Sequence, residues 1–456
     1  MTDAGAKLER VASRVLSQLP DGVTGDVRIH DESWTTMRFA NGQVHQPHVE
    51  RSRSASLRAV RDHRIATATT TDTTPGGLAR LVREAVALAS IAPVDHRVGP
   101  FPAGGRVLAA KFSDATARMR PEEVGRMAAR ALDAAGATDL GRRVSGAVHV
   151  GTQTLAVANT SGRSVSETRT SSESSVLAEE PGRDPPVSGW AEEAHWDARQ
   201  LDTARLGREA LARMPSGTLR SAKPGTYRVL LSGAAAAELI GFLGHLGFSG
   251  HGEEEGWSCL KSRRGRRAFP KAVSLVDDGR SVEALPAGFD EEGTAKHRTS
   301  LIDEGVVGGP ATDLVTAGHL GTKLTGHALP PESPFGEWGP VHTSLVFGAG
   351  DVPESELPSV VRDGLLITRF HYVRVVHPSR GVITGMTRDG TYRIRKGEVA
   401  EPVRNLRFTH SVVEALHDLE AWSRERRRYA DEHGLSCVTA PALVIKKFQF
   451  TSATVF

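Results

Sequence analysis

The stretch LLITRFHYVRVVHPSRGVITGMTRDGTYRIRKGEV, Leu365–Val399, decides the fold class. β-branched and aromatic residues recur between turn-forming residues, which predicts strands joined by tight turns. Asp389-Gly390 is a two-residue hairpin signal, and Lys396-Gly397 is a weaker one. PALVIKKFQFTS, Pro441–Ser452, has the same texture, and one late helix is expected over about Ser411–Tyr429. Many strands with few helices imply a barrel or sandwich.

Working back toward the N-terminus, PSGTLRSAKPG (Pro215–Gly225) reads as a domain boundary. Before it, helical spacing appears at Leu8, Val11, Ala12, Val15 and Leu19, then at Leu78, Leu81, Val82, Ala85 and Leu88, and again from Pro121. Strand-like stretches cover Asp26–His30, Thr35–Phe39 and Ser54–Val60, with turns at Asn41 and Arg61. More strands are expected over 145–195 around Asn159, and a helix over Thr203–Met214. The expected fold class is α+β. Residues 1–215 form an N-terminal α/β domain with a largely antiparallel sheet and helices. Residues 216–456 form a C-terminal β-barrel-like domain with few helices.

The composition narrows the function. Of 456 residues, 39% are hydrophobic and 24% charged, enough for a sizeable core. Formal net charge is only +3 and aromatic residues make up 5%. The basic stretches Lys261–Arg267 and Arg424–Arg428 lack interleaved aromatics, so no nucleic-acid partner is expected. Two cysteines, Cys259 and Cys437, cannot build a disulfide framework. With no signal-peptide pattern and no long apolar run, the expected location is cytoplasmic, with no membrane partner. There is no serine-hydrolase elbow, phosphate loop or dinucleotide fingerprint.

Just past the boundary, a strand over Thr226–Ser232 leads into a helix over Gly233–Phe248, with Gly241, Gly244 and Gly247 expected to fray its end. That helix runs into GHLGFSGHGEEEG, Gly244–Gly256. His245 and His251 are six residues apart, about 240° on an ideal helix, so they face apart unless the helix ends between them. Gly247, Ser249 and Gly250 favour such a break. Two readings stand side by side: a metal pair completed by Cys437 or Cys259, or a polar loop. Glu253, Glu254 and Glu255 offer either a further ligand or a general base.

HPSRGVITGMTRDGTYRIRKGEVAEPVRNLRFTHSVVEAL (His377–Leu416) resembles the C-terminal signature of the TldD/PmbA family. MRFANGQVHQPHVERS, GFDEEGTAKHRTSLIDEGVVGG and LTGHALP resemble other parts of it. The resemblance implies an α/β N-terminal domain, a β-barrel-like C-terminal domain and a dimer that encloses the active site. In the TldD type, a helix bears HExxxH. Its two histidines and a later cysteine hold zinc, and its glutamate is the base for peptide hydrolysis. The PmbA (TldE) type lacks the motif and acts as the inactive half of a heterodimer. Some relatives serve natural-product assembly.

This sequence departs from that pattern. HExxxH is absent: the histidine spacing is one residue longer, and Leu246 stands where the glutamate belongs. His251 keeps the GHG context of the family's second histidine, and Cys437 precedes APALVIKKFQF, which resembles the cysteine neighbourhood. The resemblance therefore implies zinc, or another divalent transition metal, on His245, His251 and Cys437, with Glu254 or Glu255 as catalytic base. The expected function is hydrolysis of a peptide or small amide conjugate by a homodimer, of the kind used in specialised metabolism. The alternative is a silent PmbA/TldE-type subunit paired with a TldD-type chain.

Overall fold

The computed structural model describes residues 3–105, 107–108, 110–137, 141–330, 339–430 and 437–454. The first half is built on a six-stranded antiparallel sheet. Its strands, in spatial order, are Arg64–Thr70, Gln43–Arg61, Thr24–Ala40, Arg143–Asn159, Ser164–Glu180 and Val187–His195. The two strand stretches expected at 26–30 and 35–39 are one continuous strand, Thr24–Ala40. Asn41 and Gly42 take positive φ to turn it back, as do Asp62 and His63 at the next hairpin.

Side chains alternate across each strand, so each face has its own character. Val27, Ile29, Met37 and Phe39 face the helices Asp3–Leu16, Pro75–Ile91, Pro121–Ala134 and Thr203–Ala212, which supply the apolar residues of two core clusters. Asp26, Arg28, His30 and Arg58 are buried and charged or polar. They meet the segment Asp290–Glu292 from the second half of the chain. Arg58 contacts Asp26 at 2.8 Å and Glu292 at 2.6 Å, and His30 contacts Glu291 at 2.8 Å. Glu292 also accepts the Leu314 backbone N–H at 2.8 Å.

The second sheet closes on itself. Gly225–Leu231, Gly364–His377, Val382–Arg395, Leu406–Ser411 and Cys437–Ala453 follow one another, and the last pairs again with the first through Leu443↔Leu231 and Phe450↔Gly225. The barrel-like form expected from Leu365–Val399 is thus realised as a five-stranded ring. Phe370, Phe408, Phe448 and Phe450 stack in its core. The strands Leu275–Asp278, Arg298–Asp303, Val306–Val307 and Ser344–Phe347 extend the sheet beyond the ring. Ser344–Phe347 joins it by running parallel to the start of the last strand, Ser344 opposite Cys437.

Two local expectations are corrected. Asp389-Gly390 makes no hairpin and lies inside Val382–Arg395. There, positive φ at both residues forms a bulge opposite Ile367–Arg369. Lys396-Gly397 makes the actual turn, into Glu398–Pro402. The helix expected over Ser411–Tyr429 ends at His417. Leu419–Ala430 is a strand along Cys437–Ala453, because the last strand offers it a backbone ladder, broken at two bulges. His410 lies in the preceding strand, and Ser411 caps the helix. No helix among the described residues is long and apolar enough to cross a membrane.

Candidate metal centre

The helix that carries His245 spans Gly233–Phe248, as its sequence suggests, but its glycines do not fray it. It is apolar on nearly every face and correspondingly buried. Gly244 leaves room for Leu345: a Cβ there would lie 2.8 Å from the leucine's Cδ1. Gly247 does the same for Leu260, at 2.7 Å. The helix ends at Ser249, whose extended backbone (φ −74°, ψ 128°) starts a new short helix, Gly250–Glu254, and whose side chain accepts the Gly252 N–H. The break therefore falls three residues later than one directly after His245, but it does lie between the two histidines.

The break sets the histidines around one aromatic ring. Trp257 lies 5.4 Å from the His245 ring and 6.2 Å from the His251 ring, centroid to centroid. Its own ring rests on Gly252, where a Cβ would come within 2.6 Å of it. Burial first, then the nearby His251, lowers the His245 pKa to about 3, so His245 is a neutral imidazole at neutral pH. That is the protonation state a metal ligand requires.

The strand that begins at Cys437 packs against the Gly233–Phe248 helix, with Val438 3.8 Å from where a Cβ on Gly241 would lie. Cys437 is fully buried at the start of the last strand, its N–H bonded to the Thr343 carbonyl at 3.0 Å. The ligand atoms of His245, His251 and Cys437 do not all come within 4.8 Å of one another; among the described residues only one group of three potential ligands does. Cys259 is a buried thiol, pushed up to about 12 by burial, and so disfavoured as thiolate. Glu254 turns to His319, at 2.5 Å, and the other nitrogen of His319 contacts Asp95. Glu253 pairs with Arg264. Glu255 is exposed at the helix end. The position after His245 is filled by Leu246, 1% exposed within the main core cluster.

The group that does converge is Asp277, His327 and His342, all buried. Asp277 stands on Leu275–Asp278, and His342 lies just ahead of Ser344–Phe347, which pairs with that strand through Leu345↔Asp277. His327 lies in LTGHALP. His342 Nδ1 is 3.1 Å from His327 Nε2, which is 3.3 Å from Asp277 Oδ1. His342 Nδ1 is 3.8 Å from Asp277 Oδ2, and that oxygen also accepts the Ser344 N–H at 2.8 Å. Burial works against the Asp277 charge, but Lys296 and His327 outweigh it and hold the carboxyl well below its usual range. Burial, with His327, holds His342 far below the ordinary histidine value. This cluster touches the helix break through Phe248, whose ring is 6.1 Å from that of His342.

No local spacing announces this group. Its members lie far apart in sequence; strand pairing brings Asp277 and His342 together, and the LTGHALP segment brings His327 to them. The histidine pair, by contrast, was visible because one helix and its break carry both rings.

Fold and site together define a two-part α+β protein, with a closed barrel that bears imidazole and carboxylate groups at one corner. The comparisons identify the family. Residues 224–452 match the PmbA/TldA metallopeptidase C-terminal domain, and residues 25–89 match domain 1 of the same metallopeptidase. The chain belongs to the PmbA/TldD family. A metalloprotease of Methanothermobacter thermautotrophicus is 27% identical over 167 residues, 36% of this chain and 36% of that protein. A metalloprotease of Synechocystis sp. is 28% identical over 177 residues, 37% of this chain and 35% of that one. The matches thus span about a third of these relatives' length. The crystal structure of TldE from Thermococcus kodakarensis shares the fold, with TM-score 0.86 over 98% of this chain and 100% of that chain, at 16% identity. Family and relatives support a metallopeptidase-type function, and family membership suggests a divalent metal.

Proposed function

We propose that the chain is a PmbA/TldE-type subunit that takes part in peptide or amide hydrolysis by completing the cavity of a motif-bearing TldD-type partner. One observation carries the reading: the positions expected to supply the base are turned to other surroundings, and Glu255 is exposed at the helix end. Leu246 is sunk in the core, Glu253 is paired with Arg264, and Glu254 with His319. Hydrolysis by a metal-bound water needs converging ligands and a base within reach of that water. His245, His251 and Cys437 are not gathered within 4.8 Å of one another and Glu253 and Glu254 have other partners, which favours a chain whose catalytic step lies elsewhere.

A second reading, a self-sufficient metal-dependent hydrolase acting as a homodimer, is favoured by a different observation. His245 is a neutral imidazole and shares the Trp257 ring with His251, an arrangement compatible with metal binding after a local shift. Its substrate would be a small peptide or amide conjugate, as in specialised metabolism.

Complex formation separates the two. The chain is co-expressed with a TldD-type chain from the same genome, and the mass of the purified species is measured. The first reading predicts an equimolar complex that survives gel filtration. A stable homodimer that leaves the TldD-type chain unbound contradicts it.

A further inference from the structure

We propose that Asp277, His327 and His342 bind one divalent transition metal ion, zinc by the character of the donors, at a site separate from the His245/His251 pair. Two imidazole nitrogens and one carboxylate oxygen form a donor set that suits zinc better than magnesium or calcium. Ligands about 2.0–2.1 Å from a tetrahedral zinc lie about 3.3 Å from one another. The two imidazole nitrogens lie 3.1 Å apart, and they lie 3.3 and 3.8 Å from the nearer of the two Asp277 oxygens to each, Oδ1 for His327 and Oδ2 for His342, all close to that edge.

The hydrogen bonds around the cluster point the same way. The Thr325 hydroxyl lies 3.2 Å from the Thr312 carbonyl, to which it donates, and its oxygen accepts the Thr312 N–H at 2.7 Å. His327 Nδ1, 2.8 Å from that oxygen, is then the donor, and Nε2 turns its lone pair to the centre. Asp277 is fixed by the Ser344 N–H in the same way. Metal-bound imidazoles and carboxylates typically have such supporting bonds. Lone pairs from three side chains facing one buried point call for a cation. Asp277 Oδ1, His342 Nε2, Ser344 Oγ and Lys296 Nζ, all at this cluster, are buried without a hydrogen-bond partner. Native interiors leave few such atoms, so their concentration in one place marks an incomplete site.

Lys296 is the rival cation, since its charge already acts on Asp277. If it alone balances the carboxylate, no metal is needed. If the metal binds, it ties His327 and His342 to the Leu275–Asp278 strand, one strand removed from the strand that starts at Cys437. The ligands are too buried for a substrate to reach, so the ion fixes structure. The metal contents expected here are those of the first reading, in which the His245/His251 pair holds no ion.

The test is metal content of the purified full-length chain, measured by mass spectrometry of the elements after exposure to zinc and gel filtration. The wild type and His245→Ala, His251→Ala and Cys437→Ser variants should carry about one equivalent of zinc, and Asp277→Asn and His342→Ala less than about a tenth. Cobalt loading of the wild type guards against variants that fail to fold. The site predicts ligand-field bands of a nitrogen and oxygen environment without a thiolate charge-transfer band. A wild type that takes up no metal overturns the proposal. So does zinc retained by Asp277→Asn and His342→Ala but lost from the Cys437 or histidine-pair variants, or a cobalt spectrum with the thiolate band.

Discussion

Leu246 and His245 are adjacent on one helix yet face different surroundings. Leu246 lies in the main core with Leu243 and Leu260, and its carbonyl accepts the Cys259 N–H at 2.9 Å. Restoring the family's glutamate at this position therefore buries a carboxylate in hydrocarbon. Leu246→Glu should lower unfolding free energy by about 3 kcal/mol or more, read from the denaturant midpoint, and confer no hydrolysis. Wild-type stability in that variant would contradict the core placement. At this scale the sequence was legible where chemistry and spacing coincide, as for His245 and His251. It was mute where a role depends on distant strands. His327 stands in a recognisable LTGHALP, but nothing local to it or to His342 signals a partner. The acids at 253–255 were visible as a run, but their partners Arg264 and His319 come from other elements and could not be read locally.

Among the elements, the Gly233–Phe248 helix was legible to its ends, because alanine and leucine favour helix and apolar residues surround it. Its glycines were misread as fraying because the close approach of Leu345 and Leu260 is a tertiary fact. The Asp389-Gly390 pair was misread for a related reason. A tight hairpin and a bulge both ask for positive φ, and only the partner strand tells them apart. Here the bulge aims the buried Asp389 carboxylate at Ser188 of the first sheet, at 2.6 Å, and at Arg369, at 2.8 Å. Gly390 has φ +126°, and a Cβ there would meet the Arg213 carbonyl and Thr368 Oγ1 at 2.9 Å. Gly390→Ala should cost about 2 kcal/mol or more in chemical denaturation. A loss below about 0.5 kcal/mol, the usual size for an uninvolved surface change, would show the bulge to be dispensable.

In the whole molecule, much of the junction between the two halves is charged, beside an apolar contact where Phe289 packs on Leu155, Val157 and Val165. Asp26, Arg28, His30 and Arg58 face Glu291 and Glu292 across one part of the junction. The arginine run near 424–428, which composition alone marks as a surface patch, serves another part. Arg427 pairs with Glu209, and Arg428 donates to the Ala194 carbonyl at 2.9 Å. The α+β class and the barrel were legible because strand texture and turn chemistry repeat through the second half. The closure of the ring and this polar junction were not, since both join residues hundreds of positions apart. A scaffold that keeps its family's fold while burying a leucine in the base position is suited to shape a cavity whose chemistry another chain supplies. The most direct test is hydrolysis of unfolded peptide followed by mass spectrometry, with the purified chain alone, the TldD-type chain alone, and both together. The account predicts no cleavage by this chain alone and faster cleavage by the mixture than by the TldD-type chain alone. Turnover by this chain alone, abolished by chelator and by His245→Ala, would contradict it.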